Sequence, residues 1–289
     1  MLSDLSHYAF VAALATLLMA FVLHLASAVN VRSRLNLAGA GAISLPAPTS
    51  TTGFGSSGRQ AAALTLTGFV LLTASLVLRA IASGHGPFSS MFEFSLAFAW
   101  GILGLHLYFE SRYHLRSLAL LVLPVAVGLL AYATTVPSNA EPLVPALQNQ
   151  LLLTVHVAVA IIAYGAFTVA FAAAVLYLIQ RRDCIRWLPR GSVLDEISYR
   201  AVLVGFPLLA LAILLGAVWA EIAWGTYWSW DPKETASLAT WLIYGGYLHA
   251  RVVRGWRGQR SAFLLIGGFG ATLFTYYGNL FFGGMHAYA

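Results

Sequence analysis

Charge is what this sequence has least of. Of its 289 residues only 9% are Asp, Glu, Lys or Arg, against roughly a quarter in a soluble domain. Cysteine is almost missing too. Cys184 stands alone, which excludes an internal disulfide, a CxxC redox pair and a thiolate metal site. Ten-residue segments of alternating polarity, the mark of a membrane β-barrel, do not occur. The opening residues MLSDLSHYAF hold no basic stretch and no small-residue cleavage site. They read as the start of a retained first helix and not as a signal peptide.

What is present is hydrocarbon. Hydrophobic residues make up 60% of the chain, and apolar runs of about 20 residues recur along it. A bilayer offers the backbone no water to bond with, so helices are the expected solution. The sequence predicts an all-α polytopic membrane protein with segments near 8–28, 63–82, 90–109, 117–133, 151–180, 200–220, 235–251 and 262–282. Residues 1–32 hold the first helix. Residues 33–60, rich in Gly, Ala, Ser, Thr and Pro, read as a flexible cytoplasmic loop. Residues 61–289 form the remaining membrane domain. The 134–150 link, with three prolines, reads as an ordered surface loop.

The net charge of +6 then concerns orientation and not nucleic acid. Arg32, Arg34 and Arg59 fall in the first link, and Arg112 and Arg116 in the third. Arg181, Arg182, Arg186, Arg190 and Arg200 fall in the fifth, and Arg251, Arg254, Arg257 and Arg260 in the seventh. These odd-numbered links carry 14 of the 16 basic residues. Arg79 and Lys233 are the exceptions. Basic loops stay cytoplasmic, so both termini are expected on the extracytoplasmic side.

Five of the eight tryptophans lie between Trp219 and Trp241. The link itself reads WGTYWSWDPKET, with Trp224, Tyr227, Trp228 and Trp230 close together. Asp231, Pro232 and Glu234 fit the N-cap, N1 and N3 positions of a capping box, so the rings should be held in place. Two readings stand: a platform for a flat aromatic ligand, or the ordinary aromatic belt of a membrane interface. The acids in this region would repel an anionic group, so they are expected to cap and shape the fold. Lys233 and Arg79 are the outward cations available to carboxylates.

Eight histidines are present. His156 and His286 are expected at the outer surface beside the Trp-rich link, where neutral imidazoles suit the iron of a haem; packing is the alternative. His249 lies 17 residues beyond Pro232, roughly 25 Å along a helix. It shares a face with Glu234, Leu238, Trp241 and Gly245, and Gly245 is expected to leave room beside it. An ionisable residue inside a membrane points to function; an interfacial histidine beside Arg251 is the alternative. His85, in GHGPFSSMFEF, suits a haem ligand, a haem-edge contact or a plain turn. His24 and His106 read as core or interface.

WGTYWSWDPKETASLATWLIYGGYLHAR (Trp224–Arg251) resembles the signature of the CcsA/ResC family of system II cytochrome c biogenesis proteins, named CcsB in some bacteria. The resemblance covers residues 60–289, with the tryptophan-rich WWD segment at 219–241. GHGPFSSMFEF, LTVHVAVAIIAYGAF and GMHAYA resemble further family segments. Ser90, Phe92 and Ala236 replace the usual Asn, Tyr and Trp. The resemblance implies that His156 and His286 ligate haem b on the outer face. It implies that His249 is one ligand of a transit site, the other coming from a CcsB/ResB-type membrane subunit. It also implies an apocytochrome c bearing CxxCH as substrate, and thiol-reducing proteins as partners.

The implied activity is haem delivery and covalent attachment, a cytochrome c haem lyase of the bacterial cytoplasmic membrane, ahead of a thylakoid one. The alternatives are a haem exporter without ligation activity and a b-type electron-transfer subunit. A third is a structural assembly subunit without cofactor.

Overall fold

The computed structural model describes residues 1–40, 55–139, 150–180, 183–185, 187–282 and 284–285, with side chains for all but 31–40, 55, 150, 279 and 280. Every regular element among them is helical. The order is α1 (Leu2–Ala40), α2 (Gly55–Ser83), α3 (Met91–Tyr113), a 3-10 turn (Arg116–Leu118) running into α4 (Ala119–Ala133), α5 (Gln150–Ile179), α6 (Gly191–Trp224), α7 (Pro232–Val253), α8 (Gln259–Tyr277) and a short α9 (Asn279–Phe282). Each of the eight expected segments has its helix. Helix α1 runs past residue 33 and α2 begins before residue 60. The stretch between them, 41–54, lies outside the described residues, as do 140–149 of the proline-bearing link.

Six helices among the described residues, α1 to α6, have the length and apolar character to cross a membrane, α4 together with its 3-10 turn. Helices α7 and α8 complete the bundle, α8 lying against both α5 and α7. Helix α5 is the centre: 72% of its apolar window is buried, against 28% for α1, α2 and α6. It touches α3, α4, α6 and α8. The reason is in its composition. Ala163, Ala166, Ala170, Ala172, Ala173 and Ala174 are all buried, and small residues let helices approach closely where lipid gives no hydrophobic drive to associate.

The α3–α5 crossing is the tightest case. A Cβ at Gly165 would sit 2.8 Å from the Gly101 carbonyl oxygen, and a Cβ at Gly101 would collide with the Ile161 side chain. Phe98 of α3 packs beside Tyr164 of α5 and edge-on to Tyr276 of α8, so this crossing also fixes α8.

The basic residues gather at one end of the bundle. Arg251, near the end of α7, meets Asp195 near the start of α6 at 2.8 Å and lies over the Tyr199 ring. Arg200 pairs with Glu196 at 2.7 Å and donates to the Tyr113 hydroxyl at the end of α3. Arg200 and Arg251, counted with the links but at the edges of the expected segments, are helical and paired. At the opposite end the Gly84–Pro87 turn touches α5, a Cβ at Gly86 falling 3.2 Å from the Thr154 hydroxyl. Lys233 of α7 sits over Phe94 of α3 at 5.7 Å.

Gly165→Val is expected to cost about 1–3 kcal/mol by overpacking the α3–α5 contact. Thermal melting of the detergent-solubilised protein would show a clearly lower midpoint than a Gly128→Val control, since a Cβ at Gly128 meets nothing within 4 Å.

Candidate functional site

Helix α6 stops at Trp224 because Gly225 takes the left-handed conformation at φ 73° and closes on the Glu221 carbonyl. A short link leads to Pro232, the first residue of α7. The predicted capping box is present. Asp231 Oδ1 accepts the Lys233 N–H at 2.9 Å. Glu234 Oε2 accepts three donors: the Ser229 N–H at 2.8 Å, the Ser229 hydroxyl at 3.1 Å and the Asp231 N–H at 3.2 Å. Both carboxylates are buried at the positive end of the α7 dipole. They shape the link, as the sequence reading expected.

That clamp has a consequence for Trp230. Its φ is +60°, a conformation costing an L-residue about 1–2 kcal/mol. The strain puts its ring outward, 69% exposed, and Tyr227 is exposed as well. The Trp228 and Trp230 rings stand perpendicular, 5.7 Å apart. A flat ligand lying on one face would therefore meet the other ring by its edge. The Trp228 indole N–H is buried and has no acceptor among the described residues.

His156, on α5, is held by α6. Its Nδ1 lies 2.8 Å from the Ala212 carbonyl oxygen. A carbonyl only accepts, so Nδ1 carries the proton and the lone pair is left on Nε2, the form that binds a metal. The ring can sit there because residue 216 is glycine: a Cβ at that position would be 2.9 Å from the His156 Cε1 atom. Beside the imidazole stands Trp219 at 6.1 Å, and Trp219 meets Trp224 at 5.4 Å. Gly216 and Trp219 had not been assigned to the site from sequence. Trp219 was visible as the first of the clustered tryptophans, but Gly216 gave no signal in an apolar helix.

His286 lies outside the described residues. Its neighbour Met285 is described, and the Met285 N–H donates to Asp231 Oδ2 at 2.7 Å.

The remaining residues divide by place. His85 bonds its own turn, with Nδ1 2.8 Å from the Gly86 oxygen. Arg79 is 2% exposed and Glu93 0%, and they pair at 2.7 Å through Nε. Arg79 also lines a cavity with Ser3, Asp4, His7, Tyr8, Ser138 and Asn139, none of them in the Trp-rich link. Ser90 caps α3 by accepting the Glu93 N–H, a role open to the usual Asn as well. Phe92 is buried between Phe10 and the Arg79 guanidinium.

His249 stands near the opposite end of α7 and is exposed. Gly245 makes room for Phe206 of α6, whose ring atom would lie 3.3 Å from a Cβ there, and not for His249 as the spacing suggested. Phe206 stacks on Trp241, which fixes that face of α7 against α6. His24 and His106 are fully buried, His106 Nε2 lying 3.2 Å from Glu110.

Residues 88–286 match the family model described as cytochrome C assembly protein. The chain is 36% identical over 252 residues to the cytochrome c biogenesis protein CcsA of Guillardia theta, covering 78% of this chain and 83% of that one. It is 35% identical over 271 residues to CcsA of Synechococcus elongatus, covering 75% and 83%. Among solved structures, the cytochrome c haem lyase CcmF superposes with a TM-score of 0.70 at 21% identity, over 96% of this chain. The chain spans about half of that structure's length, 47%, so this likeness speaks for the fold.

Gly216→Val is expected to push the His156 ring out of its seat while leaving the imidazole in the chain. Haem retained on the purified protein, measured by its Soret absorbance, should fall to the level of His156→Ala. Wild-type retention in Gly216→Val would show that this seat does not matter.

Proposed function

The chain belongs to the cytochrome c assembly protein family, and on that premise we propose that it is the CcsA-type subunit of a cytochrome c synthetase, delivering haem b to apocytochrome c and joining the two. The observation that carries this reading is the His156 imidazole, fixed as the Nδ1–H tautomer with Nε2 free, beside Trp219 and Trp224. A packing histidine needs no free lone pair and no indole wall. An iron ligand needs both a set tautomer and an apolar neighbour to limit water.

In this reading the arginine-bearing end of the bundle faces the cytoplasm and the Trp-rich end faces outward, with both termini on the outer side of a bacterial cytoplasmic membrane. His156 and His286 take the two faces of the iron. Trp224, Tyr227, Trp228 and Trp230 hold the macrocycle. Lys233 supplies positive charge nearby. His85 stands at the same end, within reach of the haem edge. Arg79, committed to Glu93, supports the fold in place of a propionate. The CxxCH histidine of the apocytochrome displaces one imidazole. Each cysteine S–H then adds across one vinyl double bond, sulfur to one carbon and hydrogen to the other, so no oxidant is consumed. Thiol-reducing proteins keep those cysteines free. The chain's contribution is positioning and exclusion of water.

His249 fits a transit site shared with another subunit. It is exposed near the inner end of α7, while Arg251, two residues on, turns inward to Asp195. A CcsB/ResB-type subunit packed on that face would bring the second imidazole.

Co-expression with such a partner and a CxxCH substrate tests the reading. Haem that stays on the substrate after denaturing electrophoresis is the expected outcome, and free haem outside the membrane with none attached would make the chain an exporter. His156→Ala and His286→Ala should each shift the outer-site haem spectrum and cut cytochrome yield at least about ten-fold, the scale of losing one buried ligand. His249→Ala should change a separate, partner-dependent signal. Unchanged spectra and yields in all three would sink the assignment.

A further inference from the structure

The two carboxylate oxygens of Asp231 reach in different directions. Oδ1 caps α7 through the Lys233 N–H at 2.9 Å. Oδ2 takes the Met285 N–H at 2.7 Å, 54 residues away in the chain. The second bond is not incidental to the cap, because the incoming segment is shaped to reach it. Gly284 has φ +113°, and a Cβ there would collide with Asp231 Oδ2 and lie 3.1 Å from Pro232 Cδ. Only glycine permits this approach. Helix α9, just before, rests against α7, so the segment is guided to the same point from both directions. The residue after Met285 is His286.

We infer that Asp231 is a positioning residue: its second carboxylate oxygen latches the carboxy-terminal segment onto the Trp-rich link, and so sets where His286 is presented. This rests on the proposed reading of His286 as an iron ligand. Buried charge-assisted bonds of this kind are short and strong, and the latch ties the tail to the link 54 residues before it. One carboxylate thereby serves both the start of α7 and the segment that leads to His286.

The chemistry of the side chain allows the two duties to be separated. Ser at 231 still caps but has no second oxygen to offer. Gly284→Ala attacks the latch from the other side with Asp231 intact. The test uses the full chain with its partner, in a Cys184→Ser background, with a nitroxide attached through Tyr288→Cys. Asp231→Ser and Gly284→Ala are each expected to raise the label's mobility. Each should also weaken outer-site haem retention by about ten-fold, the scale of one hydrogen bond to a charged group, with a spectrum approaching that of His286→Ala. A role confined to capping would lower the melting midpoint and leave the label and the spectrum as they were. Unchanged label mobility in Gly284→Ala and Asp231→Ser overturns the latch. Raised mobility together with a wild-type spectrum in His286→Ala upholds the latch and overturns the ligand reading beneath it.

Discussion

Two buried carboxylates at the head of α7 impose most of what is unusual in this chain. Left without donors, each would cost several kcal/mol in an apolar setting. The chain supplies those donors from its own backbone, and that requirement dictates the path of the link. Ser229 and Asp231 must turn their N–H groups toward Glu234, and the residue between them, Trp230, is left in the left-handed region with its ring outward. An exposed indole on strained backbone is therefore the consequence of a satisfied acid, not a loop left loose. The tight helix start and the open aromatic surface are one structure seen from two sides.

A second constraint runs through glycine. Lipid provides no drive for helices to associate, so contact area must come from backbones that lie close together. Gly101 and Gly165 do this for α3 and α5, and Gly216 does it for α5 and α6 by admitting an imidazole. His156 contrasts with the other internal histidines. His24 and His106 are closed off on every side, whereas His156 keeps one nitrogen bonded to a carbonyl and the other turned away from it. Two things separate these residues: the His156 ring is partly open where the other two are not, and its bonded partner is a backbone carbonyl, which fixes the tautomer.

Hydrophobic run length, the proline–acid pattern at 231–234 and the crowding of tryptophan are local properties, and they were legible. They found eight helices, the capping box and the aromatic link. What stayed hidden depends on a partner distant in sequence. Arg79 looked like a free outward cation until Glu93, 14 residues on, took its Nε. Gly245 looked like room for His249, four residues along the same helix, but the room is used by Phe206 of α6. Gly216 carried no mark at all, because a glycine in an apolar helix becomes meaningful only when a ring from another helix occupies the missing side chain's place. Departures from the family pattern were easier to judge once placed: Ser90 still caps and Phe92 still fills its pocket.

The two ends of α7 differ in a way that bears on how a ligand could move along the chain. At the Trp-rich end the helix is anchored by three donors on one acid, and the tail is tied to the next acid. At the other end, ion pairing on Asp195 turns Arg251 inward, and His249 is left on the outer surface of the bundle. One end thus has its groups oriented within a single chain. The other leaves one imidazole exposed on the bundle's surface. In the proposed reading this asymmetry has a direction. A haem held by one chain and its partner is released when the two separate or shift, whereas a haem held within one chain stays until an incoming histidine displaces a ligand. Passage from a shared site to a self-contained one needs no difference in ligand type, only a difference in which molecule supplies the second ligand.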